Sequence, residues 1–280
     1  MKLAKIFRFK LYIPLLKKII FEIRDKIIIF KNNQKDKKLF NSYNLPSLLT
    51  IFSKFNPEET YSYMNGMFLS KDFPKYIKNH RYYFSKENRG FGENPFHVQW
   101  FLIFKEYKPI QVLEIGVYRG QVLTLWGILS KELNIKSSIY GLSPLEDAND
   151  SVSNYLKIDY ESDIIESCKK FNINKPNLIK EYSNSKVGID FIKSKKWDLI
   201  YIDGSHDYEI VKNDFLNSLS SLKENGLIVM DDSSLYLKYA GRLGGFKGYS
   251  GPSRVCVELA SFKMKHLGTV GHNNIFQKIK

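Results

Sequence analysis

The sequence predicts an α/β fold: a doubly wound, mostly parallel seven-stranded sheet behind an N-terminal helical extension. Three observations carry this expectation. From residue 95 onward, short apolar runs recur at wide spacing, each followed by a helical stretch, as in a parallel sheet covered on both faces. The last two runs are joined instead by the tight turn Gly271-His272-Asn273, which makes a terminal hairpin. The first 38 residues show no strand pattern and carry a helical apolar stripe.

The elements follow in order. Asn94-Pro95 reads as an N-cap with proline at the first helical position, opening a helix that runs to Tyr107. Strands are predicted over 111–117, 138–142, 177–182, 198–203, 226–231, 265–270 and 274–280. This divides the chain into an arm and linker over 1–44, a helical cap or lid over 45–94, and the sheet domain over 95–280. The segment 45–94 is rich in aromatic residues such as Phe52, Phe55, Tyr61 and Phe68, which suits either a lid or a cap that completes the core.

In the arm, Ile6, Phe9, Ile13, Leu16, Ile20, Ile23, Ile27 and Phe30 alternate spacings of three and four, forming one helical stripe. Lys10, Lys17, Arg24 and Lys31 flank it, and Pro14 predicts a kink or a split. Twelve Lys/Arg against three acids place +9 of the chain's net charge of +14 in residues 1–38. Parallel self-pairing would set basic flanks against each other. Two readings stay open: contact with an anionic membrane surface through residues 1–31, or packing on the chain's own body. The body is nearly balanced in charge, so no nucleic-acid partner is expected.

No apolar run approaches the ~18 residues of a membrane span. The apolar runs near the start are cut by Lys and Arg, which argues against a cleavable signal peptide. The two cysteines, Cys168 and Cys256, show no metal or disulfide spacing. A cytoplasmic location is expected, with the inner membrane face as an option for the arm.

Two segments carry the chemistry. In the first, the strand Val112-Leu113-Glu114-Ile115 runs into Gly116-Val117-Tyr118-Arg119-Gly120 and then a helix. Gly116 lets the backbone approach a ligand and Gly120 lets the helix start close to the strand; in such sheets ligands sit at the carboxyl ends of the strands. In the second, an apolar strand delivers Asp203, followed by Gly204-Ser205-His206-Asp207-Tyr208, and the next strand delivers Asp231 and Asp232. Neighbouring strands lie about 5 Å apart, so three carboxylates meet. Unpaired, they repel and one stays protonated. A divalent cation resolves the conflict, and hard oxygens suit Mg²⁺. The alternative is that Asp203 and Asp232 merely cap helices.

The spacing Glu114-x-Gly116-x-x-x-Gly120 resembles motif I of class I S-adenosylmethionine (SAM)-dependent methyltransferases. Asp-Gly-x-His-x-Tyr at 203–208, followed by Gly226-Leu-Ile-Val-x-Asp231-Asp232, resembles the branch containing macrocin and related sugar O-methyltransferases. The resemblance covers roughly residues 95–280. It implies a Rossmann-like methyltransferase fold with an antiparallel last strand, SAM as cofactor and Mg²⁺ or a similar ion on Asp203, Asp231 and Asp232. It implies cofactor contacts at Glu114, Gly116, Tyr118, Gly120, Ser143, Ser183 and Asp203, with Glu114 on the methionine amino group. Ser143 stands where the family carries a ribose-binding acid, and Asp147 lies nearby. The proton acceptor would be Asp203 or His206, and the methyl acceptor a sugar, glycan or other small molecule.

Residues 233–252 are too long for a plain connection and suit an acceptor cover. Their glycines, Tyr236, Tyr239, Phe246 and Tyr249 shape it, and Arg242, Lys247 and Arg254 are either anion contacts or solvated charges. Pro252-Ser253 opens the next helix. No Gly-x-Ser-x-Gly elbow supports a hydrolase. A non-catalytic membrane-associated binding protein, and cephalosporin hydroxylase-like metal chemistry on the same scaffold, remain the alternatives.

Overall fold

The computed structural model describes residues 2–40, 45–146, 157–235 and 248–279, with side chains from residue 20 onward. In chain order the elements are α1 (Lys2–Leu39), α2 (Leu48–Lys54), α3 (Pro57–Leu69), α4 (Lys75–Phe84), α5 (Asn94–Tyr107), β1 (Gln111–Ile115), α6 (Gln121–Glu132), β2 (Ser138–Ser143), α7 (Tyr160–Phe171), β3 (Asn177–Lys180), α8 (Lys186–Lys193), β4 (Trp197–Ile202), α9 (Tyr208–Ser221), β5 (Leu222–Met230), α10 (Ser250–Val255), β6 (Lys265–Val270) and β7 (Asn273–Gln277).

The seven strands form one sheet in the order β3-β2-β1-β4-β5-β7-β6. The first five are parallel, and β7 runs antiparallel between β5 and β6. This is the predicted sheet with its terminal hairpin. The alternation of side chains along a strand splits the core in two. Val112, Leu199, Tyr201, Leu227 and Val229 pack with Trp100 of α5 and Trp126 of α6 on one face. Leu113, Ile115, Ile200, Ile202, Ile228 and Met230 pack with Phe215 of α9 on the other. Each such buried side chain contributes roughly 1.5–3 kcal/mol of transfer free energy. Glu114 breaks the pattern: it is a carboxylate in the middle of an apolar strand and only 3% exposed.

Three local expectations change. The helix α1 is continuous through Pro14 rather than split. Glu93, not Asn94, occupies the N-cap position of α5, and Asn94 Nδ2 instead donates to Asn65 of α3. The helix α10 begins at Ser250, ahead of Pro252. The end of α1 docks on α3, where Asn65 Nδ2 donates to Asn33 Oδ1 at 2.9 Å and to the buried Asp36 Oδ2 at 2.8 Å. Further back the helix leaves the body: Ile20 is 60% exposed, Ile23 52%, Ile27 48% and Phe30 63%. Packing on the chain's own body therefore describes the last turns of α1 and not its apolar stripe at 20–30. No helix among the described residues is long and apolar enough to cross a membrane.

Candidate active site

The site is a row of residues along the carboxyl edge of the sheet. The strand registers pair Leu142 with Ile115, Ile115 with Ile202, and Ile202 with Met230. The next residue of each strand is therefore Ser143, Gly116, Asp203 and Asp231, side by side. Backbone bonds fix the row: Gly116 N–H donates to Leu142 O at 2.9 Å, Asp203 N–H to Ile115 O at 2.8 Å, and Asp231 N–H to Ile202 O at 3.0 Å.

The glycine turn is built from backbone. Gly116 sits at φ +92°, and a Cβ there would lie 2.0 Å from the Asp203 carbonyl oxygen. The close approach is thus to the neighbouring strand's end, where the sequence suggested a ligand. Gly120, at φ +73°, precedes α6, and a side chain would run into Ile164 of α7. Between them Tyr118 lies near Tyr160 and Phe91, with ring centroids at 5.6 and 5.4 Å. Arg119 makes a two-point bond to Asp163 at 2.7 and 2.9 Å. Ser143 is buried, and its hydroxyl donates to Val117 O at 3.1 Å, tying β2 to the turn. Ser183, after β3, donates to Asp214 of α9 at 3.0 Å. Below the turn, Glu114 Oε2 is buried with no hydrogen-bond partner among the described residues. Burial raises its pKa well above the usual carboxylate range, against a backbone N–H from Leu123 and with help from Asp231. A buried carboxylate with one oxygen unpaired beside an open turn fits the ammonium of an amino-acid-bearing cofactor.

The acidic half is built from side chains. Asp203, Asp231 and Asp232 line a small, half-open cleft together with His206, Ser205 and Pro252. The helix-cap alternative fails here: the cap of α9 is Asp207, which accepts from the N–H groups of Glu209 and Ile210. Asp232 holds a left-handed φ of +49°, a strained conformation for a non-glycine residue. His206 Nε2 lies 2.9 Å from Asp232 Oδ2, and its ring is 4.0 Å from that of Tyr249.

His272 completes the cluster, and the sequence reading assigned it only to a turn. Its Nδ1 lies 2.7 Å from Asp231 Oδ1 and 3.2 Å from Asp232 Oδ1. The strand pairing brings it there: β7 pairs Asn274 with Met230 in antiparallel register, so two residues further on His272 stands opposite Asp232. The ligand atoms of Asp231, Asp232 and His272 lie within 4.8 Å of one another.

Electrostatics divide these groups sharply. Burial, then Asp231 and Asp232, push the Asp203 carboxyl well above its ordinary range. Burial would raise Asp231 too, but His272, Asp203 and Tyr201 pull it down to about 2. Burial opposes charge on His272, yet Asp231 and Asp232 hold its pKa at about 10. Asp203 and Asp231 therefore share a proton and titrate as a pair, while an imidazolium balances part of the remaining charge. These are hard oxygen donors short of positive charge, and they suit a divalent cation.

Of the remaining expected residues, Arg254 is held on the surface by Glu258 at 2.9 Å and by the Tyr208 ring at 3.9 Å, as a solvated charge. Asp147, Tyr236, Tyr239, Gly241, Arg242, Gly244, Gly245, Phe246 and Lys247 lie outside the described residues.

Residues 113–233 match the family model described as a methyltransferase domain. A curated relative, the uncharacterized protein R132 of Acanthamoeba polyphaga mimivirus, is 29% identical over 160 residues, which is 54% of this chain. The match spans 65% of that protein's length. Among solved structures, the chain is similar to the SAH-bound methyltransferase PaMTH1 of Podospora anserina: TM-score 0.53, 17% identity, 86% of this chain and 100% of that one. It is also similar to an O-methyltransferase of Bacillus cereus in complex with SAH: TM-score 0.51, 14% identity, 80% and 98% covered. The segment 113–233 thus resembles a methyltransferase domain, and the chain shares the fold of these SAH-bound methyltransferases.

Proposed function

We propose that the chain is a SAM-dependent, divalent-metal-assisted O-methyltransferase acting on a hydroxyl of a sugar or glycan-type small molecule. The observation that carries this reading is the juxtaposition of an orphaned carboxylate, Glu114, with the Asp203, Asp231 and Asp232 cluster one and two strands away. Glu114 would take the cofactor's ammonium. The turn from Gly116 through Tyr118 to Gly120 would border it, with Ser143 and Ser183 on the far side and Asp203 on the near side. Asp203, Asp231 and Asp232 would hold a cation such as Mg²⁺, which when bound supplies charge that lowers the pKa of an acceptor hydroxyl. The cleft would orient that hydroxyl in line with the methyl group. Asp203 or, as second choice, His206 would take the hydroxyl proton, while SAM, when bound, would supply the methyl group and leave as the thioether. The sugar acceptor is supported by the resemblance of the 203–208 and 226–232 motifs alone.

Calorimetry with SAM, with and without Mg²⁺, tests the cofactor half; transfer of labelled methyl to a panel of sugars and nucleotide sugars tests the acceptor. Failure to bind SAM would favour a non-catalytic binding protein. SAM binding without transfer to any hydroxyl would favour other metal chemistry on the scaffold.

The arm calls for a separate reading. Residues 1–44 serve as arm and linker, 45–94 as cap and 95–280 as the catalytic part. Residues 1–31 contact an anionic membrane surface, which would place a cytoplasmic enzyme at the inner membrane face. The exposed Ile20, Ile23, Ile27 and Phe30, interleaved with Arg24, Lys26 and Lys31, support it. Flotation with anionic vesicles should distinguish the full chain from one lacking 1–31, and equal flotation would refute the contact. The cut belongs before Asn33, because Asn33 and Asp36 anchor α1 to α3.

A further inference from the structure

We propose that His272 is a ligand of the metal site, and that this chain therefore prefers a first-row transition ion of the Mn²⁺, Fe²⁺ and Co²⁺ class to Mg²⁺. The inference rests on the metal-assisted reading above and narrows it.

The geometry is specific. Adjacent ligands of a six-coordinate ion with bonds near 2.1 Å stand about 3 Å apart. His272 Nδ1 is 2.7 Å from Asp231 Oδ1 and 3.2 Å from Asp232 Oδ1, which are distances of that size. The three ligand atoms converge within 4.8 Å. The imidazole is also held from behind. Its residue lies in the β6–β7 turn, where the His272 carbonyl accepts the Ser233 N–H at 3.0 Å. The ring meets Phe96 edge-on at 4.8 Å. The exposed Glu93, hydrogen-bonded to Tyr61, lies within electrostatic reach of His272. An ion between these groups would sit where Nδ1 now contacts the two aspartates.

The donor set decides the preference. An all-oxygen trio suits Mg²⁺, Ca²⁺ or Mn²⁺, whereas imidazole favours later first-row ions, and Mg²⁺ gains little from nitrogen. Two carboxylates with one imidazole therefore move the site away from Mg²⁺. Asp203, hydrogen-bonded to Asp231, adds a third carboxyl beside them.

Mn²⁺ is the probe. The full-length protein, stripped of metal and reloaded with Mn²⁺, should show ¹⁴N modulation from a directly bound imidazole in pulsed electron paramagnetic resonance. The signal should vanish in His272→Gln and persist in His206→Gln. Competition with Mg²⁺ should show His272→Gln losing at least about tenfold in Mn²⁺ affinity, with Mg²⁺ affinity changed by less. His272→Asn repeats the test should the glutamine variant not fold, with SAM binding as the check on folding. Absence of ¹⁴N coupling in the loaded wild type, or its persistence in both His272 variants, overturns the proposal. So does a parallel change in both ions' affinities, which would make His272 a counter-ion only. If no divalent ion binds at all, the metal reading falls with it, and SAM calorimetry still decides the methyltransferase reading separately.

Discussion

The two halves of the site are made differently. Around β1 and β2 the chain shapes a cleft with backbone: a glycine at φ +92°, a second at φ +73°, and a serine hydroxyl tied to a carbonyl. Around β4, β5 and the β6–β7 turn it concentrates charge: three aspartates, His206 and His272, with one carboxyl held neutral by the others. The first half is at rest without a ligand. The second carries a conflict that a ligand relieves, so its residues trade stability for function. Glu114 is the exception that links them, as a single charge conflict set in the backbone half.

That contrast is broken most directly at Asp203. Asp203→Asn keeps the shape and the hydrogen bond to Asp231 but cannot ionise. Methyl transfer should fall by at least about a hundredfold. The melting temperature of the metal-free protein should hold or rise, because the carboxyl was neutral already. Full turnover in this variant, with or without chelator, would remove Asp203 from the mechanism.

Glu114→Gln makes the corresponding test in the other half. Losing a charged acceptor for an ammonium costs about 1.5–3 kcal/mol, so calorimetry should show SAM bound roughly ten- to a hundredfold more weakly, with metal affinity intact. Weakening of both ligands together would mean that the halves are one coupled unit.

How far each half could be read from sequence follows the same division. The acidic strand ends were legible because an apolar strand ending in Asp203 or in Asp231-Asp232 fixes both position and direction. Gly116 and Gly120 were legible as a turn, but not the reason for Gly116, which is the Asp203 carbonyl one strand away. His272 was passed over because its role depends on pairing β7 with β5, a contact between segments about forty residues apart. Ser143 was read by analogy as a ribose contact, and only packing shows where its hydroxyl turns. The arm's stripe was visible, whereas its end-on attachment through Asn33 and Asp36 is a tertiary fact.

Acidity sharpens the comparison further. Asp203 and Glu114 have raised folded pKa values, and burial raises Asp214 from 3.8 to about 7. Between the unfolded and folded values the native state binds more protons, so stability falls as pH rises. Asp231, lowered to about 2, acts oppositely and protects the fold only above that range. These carboxyls should therefore lower the stability of the ligand-free protein as pH is raised from about 4 to about 7, against the buried His80 and His97, whose lowered pKa values act in the opposite sense. Stabilisation by SAM and a divalent ion together should grow over the same interval, since both ligands take the ionised carboxylates. Asp214→Asn, beneath Ser183 and away from the cleft, should remove part of the ligand-free slope and none of the ligand-dependent gain. A ligand gain independent of pH would contradict the charge conflict.

The smallest expected effect lies at Ser143, where the two ways of building a site predict different losses. Its hydroxyl donates to Val117 O at 3.1 Å and is buried. As a staple between β2 and the glycine turn, it contributes what a neutral buried hydrogen bond does, about 1 kcal/mol. Ser143→Ala should then lower the melting point by a few degrees and shift SAM affinity by less than about threefold, since what it leaves without a partner is the Val117 carbonyl and the Leu145 N–H that donates to the hydroxyl at 3.5 Å. A ribose contact would reverse the pattern, with little change in melting and a SAM affinity loss of about tenfold or more. That second outcome would put a side chain at the centre of a half otherwise shaped by its backbone.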